Sequence, residues 1–481
     1  MKHKSIVKNS IFNIVYTLSN MMFPFITSMY VSRILQPNGV GKVAYAQNIA
    51  SYFVTIAALG LPTYGVREIA KVRDEKDKRE KLYSELLLIN FLSTSIATCG
   101  FLVIVLCNKS FGEEWNLYLA CGMVVFFNYI NIDWLYQGME DYEYITKRSI
   151  LLKILSLCVL PVFVRNQSDY VNYAFITSAA TVGNYLFNIF HARKYVKFTF
   201  KNINLKRHTK SVLTIAVIVF LSSVYSKIDT TMIGLMSSEE GVGYYTYAQK
   251  IISIIITASV AVTTTLMPRL SYYYENDIKG FYELLNKGFQ LLCLFAFPAC
   301  IGLFLVADQI VEILYGSSFL PAALTIKILC PLILVKSFGD LFCYQLIYST
   351  KNEKVIVPAS SAASISNVIM NSLFIPLFSQ NGAAIASVAS ETITNIIQFA
   401  YVKSKVKICI PLKPLVQAFI SIFVMGSEVC FIKRLNLPIY MLLITEVLMG
   451  GTTYFLLNIC MKNDMMIYLI NLVKEKCQRK G

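Results

Sequence analysis

The sequence predicts an all-α polytopic membrane protein of about 14 transmembrane helices: two six-helix bundles as parallel repeats, plus a C-terminal helix pair. Three observations carry that prediction. First, 56% of the 481 residues are hydrophobic, only 15% are charged, and the mean hydropathy is +0.57; a soluble core cannot hide that much apolar surface. Second, apolar stretches of roughly 20 residues, the length that crosses a bilayer, follow one another along nearly the whole chain. Third, Gly39-Val40-Gly41-Lys42-Val43-Ala44-Tyr45-Ala46-Gln47 recurs 202 residues later as Gly241-Val242-Gly243-Tyr244-Tyr245-Thr246-Tyr247-Ala248-Gln249. Ile49/Ile251, Ser51/Ser253 and Arg67/Arg269 fall at the same offset. A duplicated set of apolar segments is a transporter signature.

The segments run in order over 9–33, 42–63, 83–107, 115–137, 146–164, 169–190, 211–234, 243–267, 286–308, 321–344, 355–376, 383–402, 411–432 and 437–461. The first follows a basic start (Lys2, Lys4, Lys8), as a signal sequence does, but its apolar run is long and no small-residue cleavage site follows, so it stays as an anchor. The 202-residue offset maps segments one and two onto seven and eight. Six is even, so both copies enter the membrane from the same side, as parallel repeats do. The expected division is 1–200, 201–408 and an appended hairpin with its tail, 409–481. A weaker echo pairs Asp133-Trp134-Leu135-Tyr136-Gln137 of segment four with Asp340-Leu341-Phe342-Cys343-Tyr344-Gln345 of segment ten.

The net charge of +16 raises the possibility of nucleic acid, but the basic residues concentrate in alternate loops. The N-terminus, the 64–82 and 191–210 loops, the 402–413 loop and the C-terminal tail are basic; the intervening loops hold little beyond Lys42, Lys109 and Arg165. This positive-inside pattern places both termini in the cytoplasm, with attraction to anionic headgroups as a by-product. Lys433 and Arg434 break it: either the last helix pair is shorter than drawn or the rule is locally overridden. The twelve cysteines are scattered without close pairs and read as small core residues.

Several chemistries fall away. Gly39-x-Gly41-x-x-Ala44 lacks the preceding strand and the later acidic residue of a dinucleotide site, and no Walker A sequence occurs; the glycines read instead as a tight outer turn needing unusual φ/ψ. Three histidines near the cytoplasmic surface (His3, His191, His208) assemble neither a metal cluster nor a catalytic triad, and no loop exceeds about 25 residues, leaving no room for a soluble catalytic domain. No catalytic residue, metal or cofactor is expected.

Charges inside apolar segments cost a few kcal/mol each unless they face protein or a watery cavity. Lys153, Lys227, Asp229, Lys250, Lys327, Lys336, Asp340, Glu391 and Glu446 are such charges, with Arg33 and Asp133 near segment ends. Lys336 and Asp340, at i and i+4, share a helix face and can pair. Lys227 and Asp229, two apart, cannot share a face, so at least one needs a partner on another helix. Asp229 sits about 27 Å along its segment, towards the outer face. Arg67 and Arg269, equivalent in the repeat, carry planar guanidinium groups suited to phosphate.

Ser10 to Ala70, Asp133 to Glu140 with Thr146-x-Arg148-Ser149-Ile150, Ser226-Lys227-Ile228-Asp229-x-x-Met232-Ile233-Gly234 and Met267-Pro268-Arg269-Leu270-Ser271 resemble the Wzx-type polysaccharide flippases of the multidrug/oligosaccharidyl-lipid/polysaccharide exporter superfamily. The resemblance implies two six-helix bundles around a central cavity in a bacterial cell membrane. It implies movement of an undecaprenyl-pyrophosphate-linked oligosaccharide from the inner to the outer leaflet for capsule or O-antigen assembly. The expected partners are that lipid, the bilayer, and the polysaccharide polymerase and chain-length machinery, with a monomeric transport unit and no nucleic acid. In the expected mechanism the bundles rock, Arg67, Arg148, Lys153 and Arg269 receive the pyrophosphate, Lys227 or Lys250 holds it deeper, and Asp229, Asp340 or Glu391 neutralises charge or couples to an ion, Lys336 being a charge-pairing residue. The runner-up is a multidrug cation exporter exchanging against H⁺ or Na⁺, whose lumen should be richer in carboxylates. A membrane polymerase or glycosyltransferase would want a substantial extracytoplasmic loop.

Overall fold

The computed structural model describes residues 6–406 and 411–478. Lys2, His3, Lys4 and the centre of the 402–413 loop lie outside them. Every regular element among these residues is helical. In chain order the α-helices are α1(Ile6–Ala58), α2(Leu61–Val72), α3(Lys76–Cys107), α4(Lys109–Glu113), α5(Trp115–Phe126), α6(Asp133–Gly138), α7(Tyr142–Phe163), α8(Tyr170–Ala192), α9(Lys206–Met236), α10(Glu239–Thr264), α11(Met267–Asn276), α12(Ile278–Tyr315), α13(Pro321–Leu329), α14(Pro331–Asp340), α15(Ile356–Phe378), α16(Gln380–Lys405), α17(Leu412–Ile432), α18(Ile439–Cys460) and α19(Asp464–Gln478).

Eight helical stretches among the described residues are long and apolar enough to cross a membrane. Helices α7, α8, α10 and α16, at 22, 23, 26 and 26 residues, also have the length to cross. Polar groups on those helices need protein or water rather than lipid.

Two compact units emerge from the contacts, Met1–Gly243 and Tyr244–Gly481. In the first, α1 packs on α3, α5, α7 and α9, and α7 packs on α8. A buried cluster at the α2–α3–α6 junction holds Tyr64, Ile69, Leu86, Trp134 and Tyr136. In the second, α12 packs on α13, α14, α17 and α18, and α15 on α16; Leu270, Phe281, Leu341 and Ile347 form its corresponding cluster. The repeat division near residue 200 rests on the sequence offset, whereas the contacts divide the chain after Gly243.

One predicted single span is broken: segment four becomes α5, a 3₁₀ turn over Asn128–Ile130, and α6. Segment ten stays one helical span over Pro321–Tyr348, with helical dihedrals at Cys330 between α13 and α14 and a π-helical stretch over Leu341–Tyr348; Pro331 removes one backbone donor within it.

The repeated glycine motif is not the turn. Two helices meet at a kink at Gln36 (φ 57°, ψ 175°), and neither Gly41 nor Gly243 has positive φ. Both lie inside helices, where the missing side chain permits contact of backbone with backbone. A Cβ on Gly41 would stand 1.7 Å from the Glu239 carbonyl oxygen, and one on Gly243 would stand 2.4 Å from that of Pro37. Close approach, not dihedral freedom, is what this motif needs glycine for. Next to it Lys42 bonds Glu114, whose other oxygen accepts from the Tyr170 hydroxyl at 2.8 Å, and Glu239 lies 3.9 Å from the same ammonium.

Lys433 donates through its ammonium to the Leu305 carbonyl on α12. The ten cysteines whose side chains are described are free.

Candidate functional site

In the first unit, the second half of α1 and helix α9 are stitched by a polar ladder. Asn48 Nδ2 donates to Thr231 Oγ1 at 2.7 Å, and the Tyr52 hydroxyl meets the same oxygen at 2.8 Å. One helical turn on, Lys227 Nζ donates to Ser51 Oγ at 2.8 Å, and Thr55 Oγ1 lies 3.3 Å from Ser223 Oγ. The spacing 48, 51/52, 55 keeps these groups on one face of α1.

That face opens into a cleft of about 330 Å³, lined by Gln47, Ser51, Thr55, Thr177, Thr181 and Lys227 among others. Gln47, the last residue of the repeated motif, donates to Thr177 Oγ1 at 3.1 Å and so ties α1 to α8. Lys227 is half-buried, with the Tyr52 ring 5.9 Å from its ammonium and no carboxylate within ion-pairing distance among the described residues. A half-buried ammonium surrounded by hydroxyls and an amide offers a positive donor with neighbours that give and accept hydrogen bonds, which suits a phosphate or a sugar. The expectation that one of Lys227 and Asp229 reaches another helix is met by Lys227, through Ser51. Asp229 is buried on α9 and engaged.

The other expected site residues divide by how their charge is met. Arg148, 6% exposed, is saturated: Nε donates to Asn184 Oδ1 at 3.0 Å, Nη2 to Asp133 Oδ1 at 2.9 Å, and Nη1 to Asn188, whose amide also donates to Asp133 at 2.7 Å. Its guanidinium is a cross-link between α6, α7 and α8, with few donors left for a ligand. Lys153 on α7 donates to Asn20 Oδ1 at 2.5 Å and Ser19 Oγ at 3.3 Å, with the Tyr16 and Phe23 rings each 5.8 Å away. Like Lys227, it keeps its charge among neutral groups. Arg67 is 55% exposed, paired with Glu68 at 2.9 Å and set over the Tyr64 ring. Tyr64 in turn bonds His208 Nδ1 at 2.7 Å, and His208 Nε2 lies 2.9 Å from buried Glu85.

In the second unit, Lys250 lies 4.5 Å from the Tyr247 ring centroid, and Arg269 is exposed in the first turn of α11. The expected Lys336–Asp340 pair does not form. Lys336 pairs with Glu391 on α16, which packs against α14, and buried Asp340 accepts instead from Thr263 Oγ1 at 2.9 Å. A shared helix face permits a pair, but a carboxylate on the packed neighbour competes for the lysine. Lys327 likewise pairs across elements, with Asp308 at 2.6 Å.

The lining groups Thr177 and Thr181 and the Arg148 partners Asn184 and Asn188 were not among the expected residues. Their spacing of four, three and four places them on one face of α8, a column legible in the sequence to a search for polar rather than charged periodicity.

Outside the spans, Lys351 holds the Glu275 carboxyl below its ordinary range across a 2.5 Å contact at an exposed end of the second unit.

Comparison with known proteins gives these features a family. Residues 6–274 match the polysaccharide biosynthesis protein family, and residues 149–450 match the lipid II flippase MurJ family. Over 415 residues the chain is 25% identical to a protein of Escherichia coli (strain K12) named "Putative O-antigen transporter", covering 84% of this chain and 99% of that one. It is 26% identical over 239 residues to the "Probable flippase AglR" of Haloferax volcanii, covering 48% of this chain and 49% of that one. Its fold is that of the lipid II flippase MurJ in an inward closed conformation, with a TM-score of 0.75 at 13% identity over 95% of this chain and 99% of the other. The chain belongs to the polysaccharide biosynthesis protein family, the Wzx-type flippases of the multidrug/oligosaccharidyl-lipid/polysaccharide exporter superfamily.

Proposed function

We propose that this chain carries a lipid-linked oligosaccharide across a bacterial cell membrane, from the inner to the outer leaflet, and that the carrier lipid is undecaprenyl pyrophosphate. The observation that carries this reading is Lys227, an uncompensated cation in a polar cleft inside a chain whose composition demands lipid around it. Such a substrate has an anionic pyrophosphate, a glycan rich in hydroxyls and a long apolar tail. The first needs a cation, the second needs groups such as Gln47, Thr177 and Thr181, and the third can remain in the bilayer. Lys153 supplies a second positive charge that a bound pyrophosphate can meet, and the exposed guanidinium groups of Arg67 and Arg269 are available to capture it at the cytoplasmic side. Arg148 is better suited to holding α7 and α8 in register than to contacting substrate.

The product would feed capsule or O-antigen-type assembly, handed to a polymerase and chain-length machinery. The chain would work as a monomer with both termini in the cytoplasm, and the two repeats would rock in alternating access. The names of the relatives support a transporter rather than an enzyme.

Proteoliposomes containing the purified chain and an undecaprenyl-pyrophosphate oligosaccharide test this reading. The glycan should become accessible to an added lectin on the far leaflet faster than in empty vesicles. Equal rates at verified incorporation would refute it. In cells, Arg67→Ala with Arg269→Ala should lower surface polysaccharide at normal expression of the chain.

A further inference from the structure

The segment between α8 and α9 is too ordered to be a slack connector. Arg79, buried on α3, donates to the Tyr195 carbonyl through Nε at 3.2 Å and Nη2 at 2.9 Å. The Tyr195 hydroxyl donates to Asp141 at 2.6 Å, the Thr199 amide to Ser84 Oγ at 2.8 Å, and the Asn204 amide to Glu85 Oε1 at 2.8 Å. These bonds clamp the backbone of residues 195–204 against the first unit.

The side chains facing away from that clamp have a distinctive chemistry. Phe198 and Phe200 lie on the same side of an irregular stretch, their rings 4.8 Å apart, and remain 41% and 78% exposed. Exposed Lys197 and Lys201 bracket them, and Arg193, Lys194, Lys206 and Lys210 continue the charge. Among the described residues none of these six cations forms an ion pair, the nearby Asp141 and Glu85 being engaged by Tyr195, Asn204, Arg207 and His208. The stretch begins and ends at helix termini, the level at which membrane helices leave the hydrocarbon. Lipid-ready side chains flank it on both sides: Phe187 and Phe190 on α8, Leu213 and Val217 on α9, all exposed.

We infer that residues 193–205 form an interfacial strap that docks on the anionic lipid headgroups of the leaflet next to it, with Phe198 and Phe200 inserted at the level of the glycerol backbone and Lys197 and Lys201 on lipid phosphates. Aromatic rings favour that depth, lysine stems reach from it to the phosphates, and the negative surface potential of the leaflet attracts the cations. Charge complementarity selects lipid as the partner: an exposed aromatic pair flanked only by cations suits an apolar layer beneath a negative one. The strap depends on the membrane setting of the chain and not on what the chain transports.

The test uses the full chain in nanodiscs of phosphatidylcholine, with or without phosphatidylglycerol. Phe200→Trp is read against the parent, whose own tryptophans are Trp115 and Trp134. The added emission should be quenched by lipids brominated near the headgroup end of the acyl chain, more strongly with phosphatidylglycerol present. Lys197→Ala with Lys201→Ala should remove that preference, by about fivefold in lipid selectivity for each lysine. Emission quenched by aqueous acrylamide and not by brominated lipid would overturn the inference. So would quenching that is indifferent to phosphatidylglycerol, or quenching that appears only when two copies of the chain share a disc.

Discussion

Asp133 and Asp340 open the two stretches that echo each other in the sequence, and their surroundings differ. Asp133 starts α6 and is met by the Arg148 guanidinium and the Asn188 amide, so its charge is cancelled inside the first unit. Asp340 ends α14, has no cation within ion-pairing distance among the described residues, accepts from Thr263, and leads into the π-helical stretch Leu341–Tyr348. Both stretches retain the scaffold role, since each contributes to the buried cluster of its unit: Trp134 and Tyr136 in one, Leu341 and Leu346 in the other. The two stretches share apolar packing roles while the charges at their starts are met differently. A charge cancelled in place is costly to unpair; a charge left among neutral partners remains available for something else.

Substitutions can break that contrast. The largest effect is expected at Asp133: Asp133→Ala strands a buried guanidinium and should cost about 3–5 kcal/mol, read as a fall in the unfolding midpoint of the detergent-purified chain. Asp133→Ala with Arg148→Ala should recover part of the loss, because removing both charges leaves none uncompensated. Next is Gly41→Ala, whose new Cβ must push the Glu239 backbone aside; overpacking of this kind costs about 1–3 kcal/mol. Asp340→Asn should move the midpoint by the equivalent of about 1 kcal/mol or less, since the amide oxygen still accepts from Thr263. Equal losses from Asp133→Ala and Asp340→Asn would erase the distinction between the two halves. The smallest effect belongs to Glu275→Gln: its partner Lys351 is exposed, and the unfolding midpoint should not move.

Much of the fold was legible because helices in a membrane announce themselves by length and apolarity. Segments five, six, seven, eight, eleven, twelve, thirteen and fourteen each coincide with a single helix to within about five residues at either end. Segment four is not legible as broken, because the apolar run continues through Asn128–Ile130 while the backbone leaves the α-helical path there. The glycine repeat is legible but its reason is not, since a sequence records that glycine is present and not whether dihedral freedom or a close neighbour requires it. Charge partners were the least legible part. Lys336 has an obvious partner four residues away and bonds a residue 55 positions on; Arg148, expected at the pyrophosphate, is taken up by Asp133 on another helix and by two uncharged amides, a pairing that no spacing along one helix announces. Lys227 was singled out for its cost in lipid, and the cleft around it adds the uncharged neighbours that such a reading passes over.

The central claim is that an uncompensated lysine in the first-unit cleft engages the anionic end of the substrate. Lys227→Ala, compared with Lys227→Arg in the lectin-accessibility assay at matched incorporation, tests it most directly. The account predicts a transport rate at least about tenfold lower for Lys227→Ala with an unchanged unfolding midpoint, and substantial retention in Lys227→Arg, as the loss of one charge-assisted contact requires. A parental rate in Lys227→Ala would contradict it.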